Sequence, residues 1–242
     1  MTARAPLIGG IIAAGEGSRL RRDGFAMPKP LVPIIGVPLI ESAVGNFQLA
    51  DIAPVVIIVN ERERDCVDRV RARFPDLATE FIVRTTASSL ESFCAVMGAG
   101  APGRMLISTV DAWCRPADFS AFARTAAMRP PDAVVLAVTP LVADEKPLWV
   151  EVESSGRVTA LGGETGRCVT AGLYLLPERV RAMTPPQGLG RLRDFLIWMH
   201  RSGYPMYAEV IDRVVDVDRA EDVALAEALA HQGTTPFTGG VE

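Results

Sequence analysis

Arg19 and Lys29 lie ten residues apart in a short cationic segment, AAGEGSRLRRDGFAMPKPL (residues 13–31), that directly follows an apolar run. Three glycines, four Arg or Lys residues and two prolines are concentrated there. Each type suits one chemistry, the wrapping of a polyphosphate. Glycine lets a backbone approach a ligand closely, and successive N–H groups can line an anion site. Ala13, Ala14, Gly15, Gly17 and Ser18 supply that backbone. Arg19 offers a planar fork for phosphate oxygens and Lys29 a compact charge, while Pro28 and Pro30 stiffen the return of the chain. A Walker A loop is excluded, because GxxxxGK[ST] does not occur here. A dinucleotide fingerprint is disfavoured, because Leu20 stands at the third glycine of GxGxxG.

The rest of the composition isolates this charge. The net charge of the 242 residues is -4, which argues against general nucleic-acid binding. Cys66, Cys94, Cys114 and Cys168 are widely spaced, with no zinc-ligand spacing, and are expected as reduced thiols. No stretch is long and apolar enough to span a membrane, and a cytoplasmic protein is expected. Neither His200 nor His231 lies near another motif, so no histidine catalyst is expected.

The elements that must position the loop follow from hydrophobic patterning. LIGGIIAA, PVVIIVN, EFIVRT, RMLISTVD and DAVVLAVT read as strands, separated by helical segments such as PLIESAVGNFQLA and SSLESFCAVMGAG. This alternation predicts an α/β, Rossmann-like, doubly wound and mainly parallel sheet. After Thr139, LWVEVESSGRVTALG alternates apolar and polar residues and predicts an inserted antiparallel hairpin. One domain over residues 1–232 is expected, with a nucleotide-binding half (7–139) and an acceptor-binding half (140–232). Residues 233–242 are expected to be a disordered tail. Asp111 ends the fourth predicted strand, and ligands of open α/β sheets bind outside such strand ends.

LIGGIIAAGEGSRL followed by PKPLVPIIGVPLI resembles the N-terminus of the nucleotidyltransferases that make nucleoside-diphosphate sugars, the sugar-1-phosphate nucleotidylyltransferases of the MobA-like NTP transferase fold. The pattern AAGxG[ST]RL, then PKPL and a GxP element, is present in order. The resemblance implies catalytic roles for Arg19 and Lys29, nucleotide binding by the loop, and Mg²⁺ bound by Asp111 and by Asp216 of VVDVDRAEDV, with Asp218 a weaker candidate. It places Ser88 and Ser89 at the nucleobase and ribose, a helix cap being the competing role. It places Glu164, Gly172 and Arg191 at the acceptor. Two departures stand out: Val110 replaces the usual glycine before the metal aspartate, and GGETGR replaces a Glu-Lys-Pro element.

The activity implied joins a nucleoside triphosphate to a small phosphomonoester, in the first instance a sugar-1-phosphate, and releases pyrophosphate. The alternatives are a cytidylyltransferase for a non-sugar alcohol phosphate, such as choline or inositol phosphate, and an inactive nucleotide-binding relative. Monomer and homo-oligomer are both open.

Overall fold

The computed structural model describes residues 6–143 and 146–232; the expected tail, 233–242, lies outside the described residues. The first half alternates as predicted: β1 (Ile8–Ala13), α1 (Ser18–Arg22), the short pair β2 (Pro33–Ile34) and β3 (Val37–Pro38), α2 (Leu39–Leu49), β4 (Val55–Val59), α3 (Asp65–Arg73), β5 (Thr79–Val83), α4 (Ser89–Met97) and β6 (Met105–Thr109). Then come β7 (Ala112–Trp113), α5 (Pro116–Met128) and β8 (Val134–Thr139). The second half holds β9 (Trp149–Val152), β10 (Val158–Leu161), β11 (Cys168–Leu176), α6 (Glu178–Arg181), α7 (Leu192–Arg201), β12 (Met206–Val210), β13 (Val215–Asp216) and α8 (Ala220–His231).

Strands β6, β1, β4 and β5 form the parallel centre of a nine-stranded sheet, and β12 lies parallel to β8. β11 joins the two parallel groups, running antiparallel to both β6 and β8. Its first residues also pair with β9 of the expected hairpin. The apolar runs are unbroken because the sheet is covered on both faces. On β4, Val55, Ile57 and Val59 enter a core with Phe47 and Phe119, while Val56 and Ile58 enter a second core with Phe93 and Phe195. Each side chain removed from water in this way contributes on the order of 1.5–3 kcal/mol.

The glycine-rich segment departs from the irregular loop expected of it. Ser18–Arg22 is a helical turn whose Leu20 is buried, and Lys29–Leu31 is a 3-10 turn. Burial of Leu20 among core residues that include Ala13 anchors the cationic segment at the end of β1.

Candidate active site

Three stretches of chain converge at the carboxyl end of the central strands. β1 and β6 are neighbours, and the N–H of Val110 donates to the Ile12 carbonyl at 3.0 Å. This sets the cationic segment beside Asp111. The Asp111 carbonyl then accepts from Val217 N–H at 3.0 Å, and β13 pairs with β7 so that Asp216 lies opposite Ala112. Asp111 and Asp216, far apart in sequence, therefore reach one crevice. Valine in place of the usual glycine at 110 is accommodated: Val110 is buried and its backbone is paired.

The segment closes on itself through Gly17. Its φ is 59°, and a Cβ added there would lie 2.6 Å from the Cβ of Lys29. Only glycine permits that approach in the left-handed region. Lys29, pressed against Gly17, is 7% exposed. Its Nζ donates to Asp111 Oδ2 at 2.5 Å and to Asp218 Oδ1 at 2.5 Å. Arg19 Nη1 donates to the other Asp218 oxygen, Oδ2. Asp218 thus ties together both cations of the motif. Its own backbone N–H donates to Asp222 Oδ2 at 2.9 Å, and that of Arg219 donates to the same oxygen at 2.7 Å. Asp222 is buried and caps the start of α8 in the favourable sense of the helix dipole.

Lys29 and Asp111 favour each other's charged forms. Burial by itself would lower the pKa of Lys29, but Asp111, Asp216 and Asp218 outweigh it and hold the ammonium well above the usual lysine range. Burial likewise pushes the Asp111 carboxyl up, and Lys29, with hydrogen bonds, brings it below the usual carboxylate range. Arg19, Lys29, Asp111, Asp216 and Asp218 are gathered at one place.

Beside this cluster opens a cleft of about 280 Å³. Asp111 and Asp216 form one side of it. The other walls come from the end of β8, the middle of β11 and the start of α7, with Thr139, Thr170, Tyr174 and Leu196 among the lining side chains. Gly172 sits where the pairing of β11 with β8 slips register. Its φ is 70°, and a Cβ would meet Ala112 Cβ at 2.5 Å and Thr109 Oγ1 at 2.6 Å. Glycine is needed there so that β11 can pass under the Asp111 turn. A smaller recess lined by Arg19, Asp216 and Asp218 adjoins, so Asp216 lies between the cation cluster and the cleft.

The other residues singled out from sequence divide. Ala13 and Ala14 are buried at the end of β1, whereas Gly15 and Ser18 are exposed. Ser88 is the N-cap of α4 and accepts the Glu91 N–H at 3.2 Å. Ser89 lines the cleft, its Oγ accepting the Leu192 N–H at 3.2 Å. Arg191 lines the cleft at the N-terminus of α7. Glu164 is not among the residues lining the cleft: it is exposed in the connection between β10 and β11.

Sequence reasoning missed Lys146 and Pro147, which line the cleft. The signal was present. The tripeptide Glu145-Lys146-Pro147 occurs upstream of the hairpin, whereas the resemblance directs attention downstream of it. Asp218, the weaker of the two expected metal candidates, is the carboxylate that holds both motif cations. Among the described residues, no group of three or more His, Cys, Asp or Glu side chains is arranged to hold a metal ion by itself. No helix among them is long and apolar enough to cross a membrane.

A Rossmann-like sheet with a cationic glycine-rich segment and two aspartates at its strand ends has its candidate site where open α/β sheets bind ligands. Residues 9–174 match the MobA-like NTP transferase domain, and the chain belongs to that family. It is 25% identical over 179 residues to the CMP-5'-(3-aminopropyl)phosphonate synthase of Streptomyces rubellomurinus (strain ATCC 31215). That alignment covers 69% of this chain and 28% of the relative, so the chain spans well under half of that protein's length. The fold is shared with the inositol-1-phosphate CTP transferase from T. maritima, with a TM-score of 0.77, 18% identity, and 96% and 99% of the two chains covered. It is shared also with a putative glucose-1-phosphate thymidylyltransferase from Bacillus anthracis, solved with sucrose, with a TM-score of 0.78, 16% identity, and 93% and 95% covered.

Proposed function

We propose that the protein transfers a nucleotidyl group from a nucleoside triphosphate to a sugar-1-phosphate or a similar small phosphomonoester. An oxygen of the acceptor phosphate attacks the α-phosphorus, the bond from the α-phosphorus to the bridging oxygen breaks, and pyrophosphate leaves with that oxygen. No general base is required, because a phosphomonoester is already largely ionised near neutral pH, its second pKa being about 6. The remaining obstacles are repulsion between anions and charge growth on the leaving group.

The observation that carries this reading is the Arg19–Asp218–Lys29–Asp111 cluster beside an open cleft. Arg19 would turn from Asp218 to the β- and γ-phosphates. Lys29 would steady the α-phosphate against the incoming oxygen, and catalysis becomes positioning with electrostatic stabilisation. Asp111 and Asp216 offer two hard oxygen donors on one crevice. That donor set fits Mg²⁺, which takes few protein ligands and completes its shell with waters and substrate phosphates. Bound there, Mg²⁺ would supply charge neutralisation between the two phosphates. The acceptor would occupy the 280 Å³ cleft, with Gly172, Ser89 and Arg191 on its walls.

A second reading, a cytidylyltransferase for a non-sugar acceptor, is favoured by one observation. Glu164, the acid expected at a sugar hydroxyl, lies outside the cleft. The names of the phosphonate synthase and of the inositol-1-phosphate CTP transferase agree with that reading.

Pyrophosphate release, measured for four nucleoside triphosphates against sugar, choline, inositol and phosphonate acceptors, tests both. Turnover with one triphosphate and one acceptor class is expected, and Arg19→Ala should lose roughly a hundredfold or more. An Arg19→Ala variant within about threefold of the parent removes Arg19 from the transition state.

A further inference from the structure

Asp218 has no role in the reaction as written above, yet it bonds both cations of the motif. Its two carboxylate oxygens are divided between Arg19 and Lys29. Its main chain is fixed independently, because the buried Asp222 accepts its N–H. Asp218 is therefore presented to the motif by α8, and the motif's cations come to it.

Consider what happens to Lys29 when Asp111 is used elsewhere. In the ligand-free protein the buried ammonium has two carboxylate partners, both at 2.5 Å. A divalent ion on Asp111 would take one of them and place positive charge beside the ammonium. A buried ammonium left without a counter-charge is strongly disfavoured. Asp218 is the partner that stays. It also keeps Arg19 and Lys29, ten residues apart in the chain, converged on one point before any phosphate arrives. Ordering two long cationic side chains costs conformational entropy, and Asp218 meets that cost in advance of binding.

We propose that Asp218 is a positioning residue: it tethers the glycine-rich segment through Arg19 and Lys29 and keeps Lys29 charge-balanced when Asp111 turns to metal, without ligating the metal itself. The proposal rests on the nucleotidyl-transfer reading for its catalytic consequence, but the tether exists in the ligand-free protein and can be measured there.

The test is hydrogen exchange of the whole, ligand-free protein in the presence of EDTA, for the parent, Asp218→Asn, Asp216→Asn and Arg19→Gln. The tether predicts that amides between Ser18 and Lys29 exchange at least about tenfold faster in Asp218→Asn and clearly faster in Arg19→Gln, but at the parent rate in Asp216→Asn. Loop exchange unchanged in Asp218→Asn, or accelerated equally in Asp216→Asn, overturns it. Should Asp218→Asn fail to fold, Arg19→Gln decides the same point from the other end of the contact. Steady-state turnover supplies the second arm. Asp218→Asn should raise the KM for the triphosphate about tenfold or more while the Mg²⁺ concentration for half-maximal rate stays within about twofold of the parent. A Mg²⁺ midpoint that moves as far as that of Asp216→Asn makes Asp218 a metal ligand and refutes the positioning role. If the parent turns over no triphosphate at all, the functional reading fails, and the exchange experiment still judges the tether alone.

Discussion

Gly17→Ala perturbs the site without touching a charge. An alanine at this position must adopt a φ near 59°, which costs about 1–2 kcal/mol for a residue bearing a Cβ. The new methyl would lie 2.6 Å from Lys29 Cβ, whereas ordinary contacts begin at 3.4 Å, so Lys29 must retreat by about 1 Å. It cannot do so by changing rotamer, because the clash is at Cβ itself and Lys29 Cα and N are already only 3.5 Å from the added atom. The 3-10 turn of Lys29–Leu31 has to move, and with it the ammonium held 2.5 Å from Asp111 and Asp218. A misplacement of about 1 Å costs roughly a hundredfold in rate where catalysis depends on positioning. Strain and contact together lower stability by about 2 kcal/mol, a fall in Tm of roughly 4–8 °C for a chain of this size. Gly15→Ala is the control, since a Cβ there has no neighbour within 4 Å and its φ lies outside the left-handed range. Differential scanning fluorimetry and pyrophosphate release on both variants provide the comparison. The close packing of Gly17 on Lys29 is refuted if Gly17→Ala melts within about 1 °C of the parent, or if Gly15→Ala is destabilised as much.

Further expectations concern other parts of the molecule. Asp111→Asn and Asp216→Asn should each raise the Mg²⁺ requirement for turnover, and the double variant should lose much less free energy than the two losses combined, because both would serve one ion; additive losses would assign them to separate tasks. Glu63 is 7% exposed, and its Oε2 has no hydrogen-bond partner among the described residues. Burial pushes its carboxyl up to about 7, with Arg21 opposing. Its folded-state pKa exceeds the unfolded value, so stability is retained at low pH and falls as pH rises through about 4.5 to 7. Glu63→Gln should therefore be more stable than the parent at pH 8, by on the order of 3 kcal/mol, and similar to it near pH 4.5; an offset independent of pH in urea denaturation would contradict this. Arg181 donates from inside the fold to the carbonyls of Met97, Ala99, Ala101 and Gly103 at 2.6–3.0 Å. Arg181→Met leaves these acceptors unpaired and should cost roughly 3 kcal/mol or more in the same measurement, and a loss below about 1 kcal/mol would show that water replaces the guanidinium.

The parts of this protein legible in its sequence are those with local physical causes. Short apolar runs rich in β-branched residues, such as PVVIIVN, fit strands buried on both faces, and alternation with amphipathic helices favours a parallel sheet. The run of Gly15, Gly17, Arg19 and Lys29 is legible as a cationic glycine-rich segment, the type of backbone and charge that an anion site uses. Asp111 is legible too, because the end of a central strand is where such sheets bind ligands.

What only the tertiary structure decided are relations between residues far apart in the chain. That Gly17 exists to admit Lys29 is a contact across the motif, invisible to spacing alone. Asp216 and Asp218 are equivalent as letters in VVDVD. They differ because β13 pairs with β7, leaving Asp216 on the cleft while Asp218, one pleat on and fixed by Asp222, meets Arg19 and Lys29. Glu164 and Lys146 change places for the same reason. The first is exposed in the connection between β10 and β11, and the chain entering β9 brings the second to the cleft. A side chain's chemistry belongs to its residue type, but its partners are set by how the strands pair, and pairing is a property of the whole sheet.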